Sequence, residues 1–342
     1  MTESKAMILG CGGLALTDEE RALYRAESPW GLILFARNIQ EHDQLTDLVA
    51  DFRDCVGRRD APVLIDQEGG RVQRIKAPLA PAYPPASVIG SLFEDSNDEG
   101  LRAAWLMGRL HACDLSAYGI NVDCIPVLDV PAQNGHEVIG NRALAADPSA
   151  VAKLGRAMID GLSAGGVQPV MKHMPGHGRA LVDSHHRMPV VDATLEQLEA
   201  SDFVPFAALS KTPMAMTAHV VFTALDPENP ATSSPTVINE IIRGKIGFDG
   251  LLMTDDISMK ALSGDFAAKT DAIFRAGCDV VLHCNGSMQE MTEVCAHTPE
   301  LAGAAADRAR FVMSLFNDGD AADPSELRAE FDGLIARKMS LV

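Results

Sequence analysis

The chain has 342 residues, of which 47% are hydrophobic and 22% are charged, and its formal net charge is -18. This composition is typical of a globular protein with a large core, and no apolar run reaches the roughly 18 residues of a membrane span. Because clustered Lys and Arg bind phosphate backbones and anionic membranes, the acidic balance argues against nucleic-acid and membrane partners.

The amino terminus and the cysteines favour a reducing, intracellular setting. Residues 1–5 lack the basic and then apolar layout of a secretory signal, so we expect a cytoplasmic protein. The seven cysteines are odd in number, show no CxxC spacing and mostly stand beside apolar residues. We therefore expect buried free thiols rather than disulfides or a zinc site.

Eight short apolar runs, rich in branched side chains, alternate with helical patterns along the chain. The runs cover residues 7–9, 31–35, 62–65, 122–126, 167–171, 214–217, 250–254 and 279–282. Alternating strands and helices predict a parallel sheet, and eight strands predict a closed (β/α)8 barrel of the TIM type, in which some strands can be irregular. A doubly wound open sheet is the alternative α/β fold.

Helix signals separate these runs. Thr194 and Gln197 have the spacing of a capping box, and Ser234 precedes a proline suited to a first helical turn. Beyond the last run, residues 301–316 and 326–338 carry helical patterns, which predict C-terminal helices packed on the outer ring. Because no linker and no internal repeat is visible, residues 1–342 are predicted to form a single domain.

Polar residues end several of the apolar runs, and the carboxyl ends of the strands form the active face of a parallel barrel. The residues at these positions are Asp66, Lys172, His173, His219, Asp255 and Asp256. Taken singly, each carboxylate could equally be the N-cap of the following helix. Because several of them converge on one mouth, we predict a site there and leave the role of His219 open.

Asp255 and Asp256 form a pair in which only one carboxylate can face the mouth. The other is expected to brace neighbouring backbone. Ser258 is available to cap the next helix, so that neither carboxylate is needed as a cap. This arrangement leaves Asp255 for chemistry.

Four of the ten histidines lie within residues 173–186. Two glycines in this stretch favour a loop, and loops held by a rigid scaffold often carry catalytic groups. Asp183 lies two residues before His185, where a carboxylate can orient an imidazole and stabilise its charged form. The pair predicts general acid/base chemistry, whereas His177 is expected to brace the glycine loop.

A metal site is a weaker interpretation of the same stretch. His173, His177, Asp183 and His185 are residue types found in zinc and iron sites. Their spacing is not the helical H-E-x-x-H pattern, and the glycines and Pro175 prevent a rigid helical display. We therefore predict no metal ligands and no cofactor, with a metal-dependent barrel hydrolase as an alternative.

The stretch from Lys172 to His185 resembles the signature loop of family 3 glycoside hydrolases, in the β-N-acetylhexosaminidase branch. Further blocks resemble that branch in the same order, at residues 31–38, 66–74, 126–130, 139–142 and 254–259. One departure is Met174, where the family usually has an aromatic residue.

The resemblance implies a single (β/α)8 barrel that removes terminal, non-reducing β-linked N-acetylglucosamine, as compact bacterial members do from muropeptides in peptidoglycan recycling. It implies Asp255 as the nucleophile, His185 as the acid/base and Asp183 as its partner. The residues that it implies hold the sugar are Asp66, Arg74, Arg142, Lys172 and His173. The expected partner is a small glycan of the GlcNAc-anhydromuropeptide type.

The residue types suit a retaining glycosidase, in which a nucleophile forms a covalent glycosyl-enzyme and an acid protonates the leaving oxygen. An imidazole has an unperturbed pKa of about 6.5, so it can act as the acid near neutral pH without strong burial. A neutral base also repels anions less than a carboxylate does, so phosphate could replace water. β-Glucosidase or phosphorylase activity on this scaffold, and sugar binding without turnover, stay open as alternatives.

Overall fold

The computed structural model describes residues 4–132, 139–180, 182, 184 and 187–339. Eight parallel strands close into a barrel in chain order, with the last strand paired to the first. We number them β1 Lys5–Gly10, β2 Pro29–Leu34, β3 Val63–Ile65, β4 Val122–Asp123, β5 Gln168–Met174, β6 Met214–Thr217, β7 Leu251–Asp256 and β8 Val280–His283. The predicted barrel is confirmed, and each predicted run overlaps one strand.

Helices surround this barrel. They are α1 Asp18–Glu27, α2 His42–Val56, α3 Ala86–Asp95, α4 Asn97–Ser116, α5 Pro148–Ala164, α6 Leu195–Ala200, α7 Phe203–Ala208, α8 Phe266–Ala276, α9 Met288–His297, α10 Gly303–Ser314 and α11 Pro324–Met339. A π-helix, Val237–Lys245, follows β6. The two predicted C-terminal helices are present as α10 and α11, with ends shifted by one or two residues.

Capping residues fix where several helices begin. The predicted capping box is present at α6, where the Thr194 side chain accepts from the backbone of Gln197 and the Gln197 side chain accepts from the backbone of Thr194. Before the π-helix, the Ser234 hydroxyl accepts a hydrogen bond of 3.1 Å from the backbone N–H of Val237. These bonds satisfy amide groups that have no partner within the helix.

Strand side chains alternate between two apolar layers. One layer fills the barrel interior, with Ile8, Ile33, Leu64, Val170, Met253 and Leu282 among its members. The other packs between strands and helices, with Met7, Leu9, Leu32, Val63 and Ile65 among its members. Because branched and long apolar side chains fill the interior, the space for a ligand lies at an end of the barrel.

Short elements extend the carboxyl end of the barrel. An antiparallel hairpin of Gln67–Gly69 and Val72–Gln73 follows β3, and a 3-10 helix, Gly140–Arg142, follows β4. After β5 and β6, Val190–Val191 pairs in parallel with Val221–Phe222. The hairpin and the 3-10 helix carry residues that the sequence predicts for the site.

The cysteines agree with the expectation of free thiols. All seven are unpaired, and six of them are buried, with Cys113 partly exposed. No helix in the described part of the chain combines the length and the apolar character needed to cross a bilayer.

Gly90 brings α3 to backbone distance from the segment that follows the 3-10 helix. A Cβ atom at Gly90 would lie 1.6 Å from the carbonyl oxygen of Leu144. No side chain larger than hydrogen fits there without moving one of the two backbones. The position of Arg142, two residues before Leu144, therefore depends on the absence of a side chain at Gly90.

A pair of glycine substitutions tests this packing. Gly90→Ala is expected to lower the free energy of unfolding by about 1–3 kcal/mol, because the added methyl group overpacks a closed contact. Gly333→Ala in α11 is the matched control, because a Cβ there meets nothing within 4 Å. It is expected to stabilise the protein by up to about 1 kcal/mol through helix propensity. Urea unfolding measures both variants, and equal stability of the two would contradict the packing argument.

Candidate active site

A cavity of about 230 Å³ lies at the carboxyl end of the barrel. Six of the eight predicted site residues line it, namely Asp66, Arg74, Arg142, Lys172, His173 and Asp255. The other two, Asp183 and His185, lie outside the residues that the structure describes. Ser184, which stands between them in the sequence, lines the same cavity.

The barrel accounts for this convergence. Asp66 directly follows β3, Lys172 and His173 lie near the end of β5, and Asp255 is the penultimate residue of β7. The carboxyl ends of parallel barrel strands meet at one face, so residues far apart in the sequence come together. Arg74 is supplied by the hairpin after β3.

Two carboxylates and three cations alternate in one series, and four of the five line the cavity. The Lys172 Nζ atom lies 2.9 Å from Asp66 Oδ1 and 2.6 Å from Glu68 Oε1. Arg74 Nη2 donates to Asp66 Oδ2 at 2.8 Å. Arg142 donates to both oxygens of Glu68 through Nε and Nη2, each at 2.7 Å. We call the series Arg74–Asp66–Lys172–Glu68–Arg142 the ion-pair chain.

Burial differs along the ion-pair chain. The side chains of Lys172 and Glu68 are only 3% and 5% exposed. Those of Asp66 and Arg74 are 15% and 28% exposed, and that of Arg142 is 13% exposed. The two most buried members, Lys172 and Glu68, therefore hold the other three in place. The accessible edges of those three can make charge-assisted hydrogen bonds to a hydroxyl-bearing ligand.

The pKa values of Glu68, Asp66 and Lys172 show how the ion-pair chain keeps these buried groups charged near neutral pH. Burial alone raises the pKa of Glu68, but the positive charges of Arg142 and Lys172 outweigh it and lower that pKa to about 2. The pKa of Asp66 is lowered for the same reason, against its burial, by Lys172 and Arg74. Burial lowers the pKa of Lys172, and the two carboxylates more than reverse this effect.

Glu68 was not predicted as a site residue. Gln67–Gly69 is a strand, and residues two apart in extended backbone point to the same side. The spacing from Asp66 was therefore the signal that could have placed the Glu68 carboxylate in the site. The backbone N–H between them, that of Gln67, donates to the buried Asp123 Oδ1 at 2.9 Å. This bond fixes both carboxylates relative to the end of β4.

Asp129 organises the start of the histidine-bearing loop and was also missed as a site residue. Its Oδ2 lies 2.7 Å from His173 Nδ1, and its Oδ1 accepts the backbone N–H of His177 at 2.7 Å. Burial raises the pKa of Asp129, but the charge of His173 outweighs this effect, and the pKa is lowered to about 2. Because Nδ1 is bound to Asp129, the Nε2 edge of His173 is the one left for a ligand.

Asp255 and Asp256 have different surroundings. Asp256 Oδ1 accepts the backbone N–H groups of Ser258 and Cys284 at 2.9 and 3.1 Å, and Oδ2 accepts the Ser258 hydroxyl at 2.6 Å. Asp256 is thus the carboxylate that braces backbone, as expected. The expectation that Ser258 caps the next helix is wrong, because α8 begins at Phe266 and the Asp265 side chain caps it.

Asp255 lines the cavity and remains ionised. Its Oδ1 accepts the backbone N–H of Asp256 at 2.8 Å. Burial raises the pKa of Asp255, but the charges of His173 and His219 and the backbone bond lower it below its usual value. His219, whose role the sequence left open, is fully buried, and its Nε2 lies 2.9 Å from the carbonyl oxygen of Asp256.

The remaining surroundings are apolar or structural. Ile33, Phe35, Met216, Met259 and Leu282 line the cavity beside the polar groups. Met174, the departure from the family pattern, is fully buried in the layer between strands and helices and is absent from the cavity lining. Within the described residues, no group of three His, Cys, Asp or Glu side chains could hold a metal ion.

Removing one charge from the ion-pair chain tests its contribution. Glu68→Gln is expected to cost about 3–5 kcal/mol of folding free energy at pH 7, because Arg142 and Lys172 lose their shared buried carboxylate. The folded pKa of Glu68 is about 2, below its ordinary value of 4.5. Its contribution is therefore present above about pH 4.5 and is lost as the pH falls toward 2. Urea unfolding across this range measures both effects.

The control for this variant is Glu330→Gln. Glu330 pairs with Arg102 at 2.7 Å on the surface, with both side chains more than 40% exposed. The same chemical change there is expected to have little effect on stability. Comparable losses of stability in the two variants would contradict the role given to the ion-pair chain. So would a Glu68→Gln protein whose stability falls below about pH 4.5 as steeply as that of the wild type.

The Glycosyl hydrolase family 3 N terminal domain matches residues 2–312 of the chain. The β-hexosaminidase of Chromobacterium violaceum is 41% identical over 283 residues, which is 82% of this chain and 78% of that protein. The β-hexosaminidase of Tolumonas auensis is 36% identical over 321 residues, or 92% of this chain and 91% of that protein.

Solved structures give the same result. NagZ from Neisseria gonorrhoeae, in complex with N-trifluoroacetyl-D-glucosamine, has a TM-score of 0.85 at 31% identity, over 99% of this chain and 98% of that one. A family 3 β-N-acetylglucosaminidase from Paenibacillus sp. str. FPU-7 has a TM-score of 0.85 at 27% identity, over 97% of this chain and 67% of that one. The chain therefore belongs to glycosyl hydrolase family 3.

Proposed function

We propose that this chain is a retaining exo-β-N-acetylglucosaminidase that removes terminal, non-reducing N-acetylglucosamine from muropeptides and other peptidoglycan fragments. Its relatives named β-hexosaminidase support the enzyme class. The glucosamine derivative bound to the similar NagZ structure supports the sugar. The peptidoglycan source and a cytoplasmic setting rest on the resemblance of this compact barrel to bacterial members that trim muropeptides.

The observation that carries the proposal is the contrast between Asp255 and Asp256. Both carboxylates line the cavity, but the oxygens of Asp256 accept three hydrogen bonds from Ser258 and Cys284, whereas among the described residues Asp255 accepts one, at Oδ1, and has a depressed pKa. A nucleophilic carboxylate has to be ionised and accessible to the sugar. Asp255 meets both requirements, and the backbone bond to its Oδ1 fixes its orientation.

In the first step, an oxygen of Asp255 attacks the anomeric carbon of the bound sugar. The bond from that carbon to the glycosidic oxygen breaks, and a covalent glycosyl-enzyme forms. His185 donates a proton to the departing oxygen, so the aglycone leaves as a neutral alcohol. Asp183 stabilises the imidazolium and fixes its tautomer.

In the second step, His185 is neutral and takes a proton from water. The water oxygen attacks the anomeric carbon and displaces Asp255, which regains its charge. Two displacements at one carbon retain the β configuration. All atoms and protons balance within these residues, so the mechanism uses no cofactor.

The sugar is held on the side of the cavity formed by the ion-pair chain and His173. Asp66 can accept hydrogen bonds from sugar hydroxyls, while Arg74 and Lys172 keep it ionised. Arg74, Arg142 and Lys172 can donate hydrogen bonds themselves. The ion pairs that orient these side chains are already formed within the protein. Binding therefore needs little reorganisation of the charged groups.

The nucleophile assignment is tested first. The wild-type protein is expected to release nitrophenol from the aryl β-N-acetylglucosaminide, far faster than from the aryl β-glucoside and equally well with a chelator present. Asp255→Ala is expected to lower this activity by several orders of magnitude while folding normally, because no glycosyl-enzyme can form. Loss of activity with the chelator, or an active Asp255→Ala variant, would overturn the proposal.

The acid role of His185 predicts a dependence on the leaving group. His185→Ala is expected to slow hydrolysis of GlcNAc-anhydromuropeptide-type glycans strongly, because their alkoxide leaving groups need a proton. An aryl glycoside with an acidic phenol should be partly spared in the first step. Steady-state rates over a series of phenols of different pKa measure the effect. Equal losses over the whole series would remove His185 from the acid role.

A further inference from the structure

The mechanism leaves one imidazole of the glycine loop unused. His177 follows Gly176 and precedes Gly178, and its side chain lines the cavity together with Asp255 and His173. The sequence suggests that His177 braces the loop. The contacts in the structure separate the role of its backbone from that of its ring.

Backbone groups do the bracing. The N–H of His177 donates to Asp129 Oδ1 at 2.7 Å, and its carbonyl oxygen accepts the N–H of Ala180 at 3.0 Å. Next to it, a Cβ atom at Gly178 would lie 1.9 Å from the carbonyl oxygen of Val130. None of these contacts needs an imidazole at position 177. A residue of similar shape with an apolar side chain would hold the loop equally well.

The imidazole is left with unused hydrogen-bonding capacity. The residue is only 3% exposed, and its Nδ1 atom is buried without a partner in the described part of the chain. Such a group costs about 1–3 kcal/mol relative to a paired one. The ring packs edge-on against that of His173, with centroids 5.6 Å apart at an interplanar angle of 63°. A polar ring in this place destabilises the unliganded protein compared with an apolar ring.

The ring is also uncharged. Burial is the main cause that lowers the pKa of His177 to about 4, with the positive charge of His173 as a second cause. At neutral pH the imidazole therefore offers one N–H donor and one acceptor nitrogen. These groups suit the hydroxyl and acetamido groups of a neutral sugar better than a carboxylate or a phosphate.

We infer that His177 contacts the substrate, and that its imidazole hydrogen-bonds the N-acetylglucosamine residue bound beside Asp255. The inference rests on the proposed function, because that sugar is the ligand it names. His177 becomes a residue for sugar affinity, distinct from Asp255 and His185, which make and break bonds.

The His177→Phe variant separates a ligand contact from a structural role. Its unliganded stability in urea is expected to equal or exceed that of the wild type, because a buried unpaired polar group is removed. Its affinity for N-acetylglucosamine, measured by calorimetry, is expected to fall about three- to tenfold, the value of one hydrogen bond. KM for the aryl N-acetylglucosaminide should rise by a similar factor. His177→Leu gives the same test with a smaller side chain.

His219→Phe is the matched control. That histidine is also fully buried, but both of its ring nitrogens have partners, Thr232 Oγ1 at 2.7 Å and the Asp256 carbonyl oxygen at 2.9 Å. Its replacement is expected to lower unliganded stability. If both His177 variants lose stability as His219→Phe does, or keep full affinity for the sugar, the inference is overturned.

The result is distinguishable from a failure of the proposed function. A wild-type protein that neither binds N-acetylglucosamine nor hydrolyses its aryl glycoside overturns the proposed function and this inference together. An active wild type with His177 variants of unchanged affinity overturns only the contact assigned to His177.

Discussion

The ion-pair chain is the interaction on which the site depends. Its centre, Lys172, lies at the end of β5 and is almost fully buried between Asp66 and Glu68. A buried charge left alone would be strongly destabilising, so the hairpin after β3 and the 3-10 helix that carries Arg142 must both be in place around it. Lys172 joins β5 to the segment after β3 through Asp66 and Glu68, and Glu68 joins that segment to Arg142 in the 3-10 helix, so the charged groups are oriented within the protein itself.

The other carboxylates at the site have two kinds of role. Asp129 and Asp256 use their oxygens on neighbouring groups of the protein, and they fix the start of the glycine loop and the end of β7. Asp255 differs because, among the described residues, only the backbone N–H of Asp256 binds its side chain, and its pKa is lowered by His173 and His219. The backbone N–H of Asp256 holds the Asp255 carboxylate in a fixed direction, as covalent catalysis requires.

The sequence predicted what depends on local pattern. Each apolar run became a strand, and the polar residues that end these runs met in one cavity, because a parallel barrel brings its carboxyl ends together. Glu68 and Asp129 were not predicted as site residues, because their roles depend on ion pairs with residues far along the chain, Lys172 and His173. Ser258 was assigned to the wrong partner for a local reason: its hydroxyl binds Asp256, two residues earlier, and seven residues separate it from the helix it was expected to cap.

The proposed mechanism requires Asp255 to form the covalent bond to the sugar. A fluorinated N-acetylglucosaminyl donor with a good leaving group slows the second displacement and allows the glycosyl-enzyme to accumulate. Mass spectrometry of the intact protein and then of its peptides should show one added sugar, attached to the peptide at Asp255. Attachment to a different side chain, or turnover of the donor without any covalent species under conditions that trap a known retaining enzyme, would contradict the account.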